Sequence, residues 1–288
     1  MNNIYEGDKI VAIVITYFPD VNEVINNIKR YINHIDRLII WENTPDQVRN
    51  EYKIFIPEYI DKIIYMSSVK NEGIAYPINK CIDWAKENSY SYIFTMDQDS
   101  YWENFEDFRK ITSITKKFGN LCIMTPNINH RYDKNKYLLE SESFITSGTL
   151  FPLNVVLDIG YFNEMLFVDG VDLDYSLRVV KSGIKIYVFP SAHLQQKFGY
   201  PVKSKYFNFT TSNYSSERTY NIVMNHILIF RKYGNMLLPT QKKMIFKGYI
   251  FSRLVKIILI EKNKVSKVFA IFCGFIKGFK TPLSDYFK

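Results

Sequence analysis

The chain has 288 residues, 47% hydrophobic and 23% charged, which allows a substantial core and excludes a disordered or fibrous protein. Its net charge of +8 is confined to the last sixth. Residues 240–288 hold eleven Lys and Arg against Glu261 and Asp285, while the other 239 residues hold 26 basic and 27 acidic side chains. Cys81, Cys122 and Cys273 lie far apart without a CxxC, which argues against a disulfide framework or structural zinc site and fits a reducing compartment.

The opening stretch, MNNIYEGDKIVAIVITYFPD, is polar and acidic before an apolar run of strand length, so it reads as neither signal peptide nor membrane span. KIVAIVITYF predicts a buried strand. DVNEVINNIKRYINHI predicts an amphipathic helix with Val21, Val24, Ile25, Ile28 and Ile32 on one stripe. RLIIWEN and KIIYMS predict two further strands, GIAYPINKCIDWAKEN a helix after an opening turn, and YSYIFTMD a fourth strand. Strand, helix, strand, strand, helix, strand at these lengths implies an α/β fold with a mostly parallel central sheet and helices on both faces. Ligands of such sheets sit beyond the carboxyl ends of the strands. Thr16, Glu42, Asn43, Asp97 and Asp99 all fall there.

From about residue 120 the pattern changes. LCIMTPNI predicts a strand, ESESFITSGTLFP a strand leading into a short helix LNVVLDIG, and MLFVDGVDLDYSLRVVKSG a helix entered through acids. IKIYVFP predicts a strand and SERTYNIVMNHILIFRKYG a long helix. There is neither a GxGxxG after a strand nor a GxxxxGK[ST], so both the Rossmann fingerprint and the P-loop are missing.

Asp97 and Asp99 in MDQDS admit two readings. Ser100 followed by Glu103 fits a capping box, with the acids favouring a helix start. Alternatively, two carboxylates so close at the end of an apolar strand repel each other unless a cation neutralises them, and Mg²⁺ beside a diphosphate is bound by one or two carboxylates in this way. Asp169, Asp172 and Asp174 crowd a helix entrance, where one serves as a cap and another is a candidate general base. Asp174 and Arg178 are spaced to pair on the helix surface, which makes Asp174 the weakest candidate. The four histidines are scattered without metal-ligand spacing. Only His193, after a strand, is placed near a prospective site.

Several segments in order resemble the rhamnosyltransferase-like members of glycosyltransferase family 2: VITYFPD (14–20), NEGIAYPINKCIDWA (71–85), MDQDS (96–100), ITSGTLF (145–151), GYFNEMLFVDGVDLDYSLR (160–178) and HLQQKFG (193–199). The resemblance covers about residues 10–235. It implies a GT-A fold, inverting transfer from a nucleotide sugar, and Mg²⁺ or Mn²⁺ as cofactor. Carried over, Asp97 and Asp99 would meet the metal and sugar diphosphate, Asp99 the more direct ligand, with Gln98 between them. Thr16, Glu42, Asn43, Asn71 and Gly73 would line the donor's nucleotide. Asp172 would be the base, and Ser147, Gly148, Asp169, Arg178 and His193 would lie on the acceptor or diphosphate side. Two departures stand out: Glu42-Asn43 where Asp-Asn is commoner, and Gly170 where an aromatic is usual, which would enlarge the acceptor side.

The expected organisation is a catalytic domain over 1–239, with a nucleotide-sugar half to about residue 100 and an acceptor half from 101, followed by a basic helical segment over 240–288. That segment interleaves Lys with Phe, Ile and Tyr. No apolar stretch in it reaches the ~18 residues of a span, so it reads as amphipathic helices on an anionic membrane surface. The expected location is cytoplasmic, peripheral on the inner face of the cell membrane. An ordinary pair of packed helices is the alternative, and no motif supports nucleic-acid binding. The leading function is transfer of L-rhamnose from dTDP-L-rhamnose to a lipid-linked saccharide acceptor for a surface polysaccharide. The alternatives are a UDP-hexose donor, or a non-catalytic nucleotide- or sugar-binding module.

Overall fold

The computed structural model describes residues 9–105, 113–119, 121–205 and 208–287. The polar N-terminal stretch through Asp8 lies outside them. Two compact units are present: Met1–Phe162 with Arg178–Gln196, and Asn163–Leu177 with Lys197–Lys288.

The first unit is built on a nine-stranded sheet. Its elements in chain order are β1 (Ile10–Thr16), α1 (Val21–Lys29), β2 (Arg37–Glu42), β3 (Ile63–Ser67), α2 (Ala75–Glu87), β4 (Tyr92–Asp97), β5 (Ser100–Trp102), β6 (Cys122–Ile128), β7 (Leu139–Ser141), β8 (Thr149–Pro152), α3 (Leu153–Ile159) and β9 (Lys185–Gln196). The strand order is β3-β2-β1-β4-β8-β6-β9-β5, with β7 on β9. β1 to β4 are mutually parallel, as their continuous apolar runs predict, because strands buried on both faces carry few outward polar positions. β8 then runs antiparallel between β4 and β6, and β6 is again parallel to β9. Ala12, Val14, Ile28, Leu38, Ile40, Phe94, Met96 and Trp102 share the main core. α1 starts where Asp20 accepts a hydrogen bond from the Glu23 N–H, and buries Val24 and Ile28 from its apolar stripe.

Two sequence expectations change here. Ser100 does not cap a helix: it begins β5, opposite Gln196 of β9. The single strand expected over ESESFITSGTLFP is two, β7 and β8. Between them Gly148 takes φ +77°, a left-handed turn that breaks extended pairing, and its N–H bonds the Thr95 carbonyl at 2.7 Å.

The second unit contains the start of α4 (Val171–Lys181), the two-stranded β10 (Val202–Lys203) and β11 (Thr210–Thr211), and α5 (Ser216–Tyr233). It continues with α6 (Pro239–Lys243), a π-helical stretch Met244–Ser252, α7 (Arg253–Ile260) and α8 (Lys264–Lys280). α8 presents glycines to α5. A Cβ at Gly274 would stand 2.6 Å from the Tyr220 carbonyl oxygen, and one at Gly278 2.8 Å from Ile227 Cβ, so the two backbones approach as closely as glycine permits. Of the basic residues in 240–288, Arg253 and Lys267 are buried around Glu261. Lys267 Nζ lies 2.6 Å from its carboxylate, Arg253 at 4.0 Å, and the Thr211 hydroxyl also donates to it. Among the described residues no helix is long and apolar enough to cross a membrane.

Candidate active site

Parallel pairing sets the strand ends level. Thr16 stands opposite Glu42, and Ile15 opposite both Trp41 and Asp97, so Thr16, Glu42 and Asp97 form one edge of the sheet. Polar side chains tie that edge together. Gln98 brackets the backbone of Tyr17 with both ends of its amide, and the Asn27 amide donates to the Gln98 carbonyl at 3.3 Å. Asn43 is buried. Its amide donates to the Gly73 carbonyl at 2.7 Å, and its oxygen accepts from Trp41 Nε1 and the Glu72 N–H. Asn71 in turn accepts from the Gly73 N–H at 2.9 Å. Asn43 and Asn71 thus shape the 71–73 turn, and Thr16 is buried with its hydroxyl on the Trp41 carbonyl. Glu42 differs: burial raises its carboxyl above the usual range against the pull of Arg49 and Lys53, and its Oε1 is buried without a hydrogen-bond partner.

Asp97 and Asp99 are both half-buried. The Asp97 N–H donates to the buried Ser147 hydroxyl at 3.2 Å, and Asp97 Oδ2 accepts from Gln196 Nε2 at 2.6 Å. Gly148, next to Ser147, leaves no room for a side chain, since a Cβ would meet Leu194 Cδ2 and Pro126 Cγ at 2.8 Å. Two carboxylates at the strand-end edge are an all-oxygen donor set suited to a hard ion such as Mg²⁺ or Mn²⁺, so the residues present fit the expected cofactor.

The second unit holds Asp169 and Asp172. The loop before α4 is tightly turned, with Phe167, Asp169 and Gly170 at φ +54°, +62° and +91°. The Asn225 amide pins it, donating to the carbonyls of Leu166, Val168 and Asp169 at 2.6, 3.0 and 2.9 Å. Gly170 is therefore a backbone requirement here. A Cβ would also stand 2.9 Å from Ile229 Cδ1. Asp169 is held bidentately by Arg218 at 2.9 and 3.1 Å. Asp172 is half-buried, and its Oδ1 accepts from the Leu173 N–H at 2.9 Å. Burial raises its carboxyl to about 6, against the Leu173 hydrogen bond and with a further push from Asp169. A carboxyl poised there changes protonation near neutrality, as a general base must.

The remaining candidates have partners of their own. Asp174 is buried with the Tyr233 hydroxyl at 2.8 Å and Lys232 at 3.7 Å, while Arg178 donates to the carbonyls of Ile159 and Tyr161, so each has a bracing role. His193 does not follow a strand as expected but lies inside β9, which runs on to Gln196 because it pairs with β5; there it faces Glu103, three residues from Gln196. Sequence reasoning did not single out Gln196, Asn225, Arg218 or the Tyr17 backbone. The positions of Gln196 inside HLQQKFG and of Tyr17 inside VITYFPD were signals; Asn225 and Arg218 become relevant through contacts distant in sequence.

No protein-family model matches the chain. It is 26% identical over 284 residues to the dTDP-rhamnosyl transferase RfbF of Shigella flexneri, covering 90% of this chain and 91% of that protein. It also resembles the solved structure of GalNAc-T7 with UDP, GalNAc and Mn²⁺ (TM-score 0.59, 9% identity), matching 83% of this chain but spanning only 50% of that one. A second likeness is to Staphylococcus aureus TarS 1–349 in complex with UDP-GlcNAc (TM-score 0.57, 14% identity), over 94% of this chain and 81% of that one. The fold is the GT-A fold of glycosyltransferases, and with this sequence relative the chain is a glycosyltransferase.

Proposed function

We propose that the chain is an inverting, metal-dependent member of glycosyltransferase family 2 that transfers L-rhamnose from dTDP-L-rhamnose to a hydroxyl of a lipid-linked polysaccharide intermediate. The observation that carries the donor assignment is the likeness to the dTDP-rhamnosyl transferase along nine-tenths of the chain. In this reading Asp99, with Asp97, would hold Mg²⁺ or Mn²⁺, which would supply positive charge against that developing on the departing diphosphate. The edge bearing Thr16, Glu42, Asn43, Asn71, Gly73 and Gln98 receives the nucleotide, with the unpartnered Glu42 Oε1 offering an acceptor to it. Ser147 holds the Asp97 backbone and Gly148 that of Thr95, two residues earlier on β4. Asp172 takes the proton of the acceptor hydroxyl. The hydroxyl oxygen bonds to the anomeric carbon on the face opposite the leaving oxygen, the old carbon–oxygen bond breaks to dTDP, and the configuration inverts.

Calorimetry with dTDP and UDP, with and without Mn²⁺, tests the donor. Manganese-dependent preference for dTDP is expected, and loss of it in Asp99→Asn. Tighter UDP binding would favour the UDP-hexose reading, which draws its support from the UDP-GlcNAc complex of TarS. Absence of any nucleotide binding would overturn both.

The same reading places the second unit on an anionic membrane surface, where a lipid-linked acceptor resides. Val265, Phe269, Phe272, Ile276 and Phe279 recur at helical spacing on α8 and are all exposed, while Ala270, Ile271, Gly274 and Gly278 are buried. Exposed Lys262, Lys264, Lys277 and Lys280 flank that apolar stripe, the combination that binds anionic lipid in the plane of the interface.

A further inference from the structure

A second cluster of metal-ligand side chains lies on the first unit, apart in sequence and in donor type from the Asp97–Asp99 pair. Glu103 follows β5, His130 sits in the turn after β6, and His193 lies within β9. One ligand atom of each falls within 4.8 Å of the others. Glu103 Oε2 is 3.0 Å from His130 Nε2 and 3.7 Å from His193 Nδ1, and the two imidazole rings lie 4.3 Å apart, edge to face. The other ring nitrogen of His193, Nε2, is buried without a hydrogen-bond partner.

Three asparagines hold the backbones that carry this trio. β9 slips register against β6, so that Pro126 pairs with Phe189 but Asn127 with His193. The extra residues are fastened by Asn127, whose amide donates to the Pro190 carbonyl at 3.0 Å, and by Asn104. The Asn104 amide donates to the Ser191 carbonyl at 2.7 Å, and its oxygen accepts from the His193 N–H at 2.8 Å. The turn bearing His130 has both Asn129 and His130 in left-handed conformations, and Asn129 secures it by exchanging hydrogen bonds with both backbone groups of Gln196. Glu103 is placed by its own N–H on the His193 carbonyl, and its Oε1 accepts from Gln195 at 2.8 Å.

We propose that Glu103, His130 and His193 form a binding site for a borderline divalent cation of the Zn²⁺ class. Two imidazoles and a carboxylate are a ligand set zinc takes with a water as fourth partner, and ligand atoms about 3.4 Å apart would satisfy a tetrahedral ion with bonds near 2.1 Å. The Glu103 separations of 3.0 and 3.7 Å bracket that value. The donors differ from the all-oxygen pair at the strand ends, so the two sites sort by metal: hard Mg²⁺ or Mn²⁺ at Asp97 and Asp99, a nitrogen-seeking ion here. An ion bound to these three side chains cross-links the end of β5, the turn after β6 and the β9 bulge. It thereby stiffens the strand whose Gln196 hydrogen-bonds Asp97.

The site is independent of which sugar is transferred and is tested without turnover. Full-length protein stripped with EDTA is titrated with Co²⁺, whose visible ligand-field absorption reports low-coordinate nitrogen ligation, and melted with and without Zn²⁺. The wild type and Asp99→Asn are expected to develop the same cobalt spectrum and to gain thermal stability with Zn²⁺. His130→Ala, at a half-exposed position, and Glu103→Gln are expected to bind Co²⁺ at least about tenfold more weakly and to lose the zinc-induced rise, with unchanged circular dichroism. A wild type without the cobalt spectrum would overturn the proposal, as would a spectrum lost in Asp99→Asn but retained in His130→Ala. If the trio is only a histidine–carboxylate ion pair, none of the four proteins responds to either metal, and that result also overturns it.

Discussion

Gln98 clamps Tyr17 like a missing rung of the sheet: its side-chain oxygen accepts the Tyr17 N–H at 2.7 Å, and its side-chain nitrogen donates to the Tyr17 carbonyl at 3.1 Å. β1 ends at Thr16 and β4 at Asp97, so the amide continues the pairing one step beyond both strands. The middle residue of Asp-Gln-Asp therefore has a mechanical task, fixing the edge on which its two acidic neighbours stand.

Gln98→Ala removes both bonds at an exposed location, and each is worth about 1 kcal/mol net. The expected result is a small fall in melting temperature and a clear rise in KM for the donor. Gln98→Glu keeps the acceptor but turns a carboxylate oxygen toward the Tyr17 carbonyl and adds a third acid between Asp97 and Asp99, so it is expected to be at least as damaging as Gln98→Ala. Unchanged donor KM in Gln98→Ala would mean that the clamp does not position the site.

The Asp172 carboxyl, raised to about 6, gives a signed pH dependence. Activity in the proposed mechanism needs the carboxylate, so the rate should climb as pH rises through about 6. Asp172→Asn should lose roughly 10²–10⁴-fold in turnover while nucleotide affinity by calorimetry survives. Stability runs the other way. The folded pKa lies above the unfolded value of ~4, so between those values the folded state binds more protons and stability falls as pH rises. Denaturant melts of wild type and Asp172→Asn at pH 4 and pH 7 should therefore differ in the gap between them, with the variant relatively more stable at pH 7.

Gly148→Ala should be destabilising. A side chain there carries φ +77° and drives a Cβ to 2.8 Å from Leu194 and Pro126, together about 1–3 kcal/mol. Because the adjacent Ser147 accepts the Asp97 N–H, a loss of donor affinity is expected alongside the lower melting temperature.

Glu261 is the one acid in the tail that sits among buried bases. Glu261→Gln removes the counter-charge of buried Lys267 and the larger of the two acids that Arg253 feels, and should cost about 3–5 kcal/mol by chemical denaturation. Adding Lys267→Met to that variant should restore part of the loss. A Glu261→Gln protein as stable as wild type would show that water reaches the cluster.

Flotation with anionic vesicles checks the α8 surface. Phe269→Ser with Phe272→Ser should release the protein from the vesicles without altering its melting temperature, because both rings are exposed. Equal flotation of variant and wild type would remove the membrane reading.

How far the chain was legible in advance follows from the range of the interactions. Apolar runs such as IVAIVIT and YIFTMD announce buried parallel strands because both faces of such strands are covered, and that one-dimensional signal is enough to set Thr16, Glu42 and Asp97 on a common edge. Ser100 could not be read this way. Its local pattern is that of a helix cap, and pairing with Gln196, 96 residues on, overrode it. The acidic entrance to α4 was visible, but the division of labour within it was not. Asp169 is neutralised by Arg218 and Asp174 is engaged by Tyr233, whereas burial lifts the Asp172 carboxyl to about 6, and each depends on partners brought in by α5 or the π-helical stretch. α8 shows the same limit, since its stripe of Phe would ordinarily mark a core face, yet the glycine face packs inward because only glycine allows so close an approach to α5. By itself, the sequence determined the parallel strands β1 to β4, the edge where they end and the acids set upon it, because burial periodicity and turn chemistry act between near neighbours. Which carboxylates are neutralised, which face of a helix is hidden and which histidines meet were decided only by the tertiary structure, because hydrogen bonds, charges and packing act through space between residues the chain order keeps far apart.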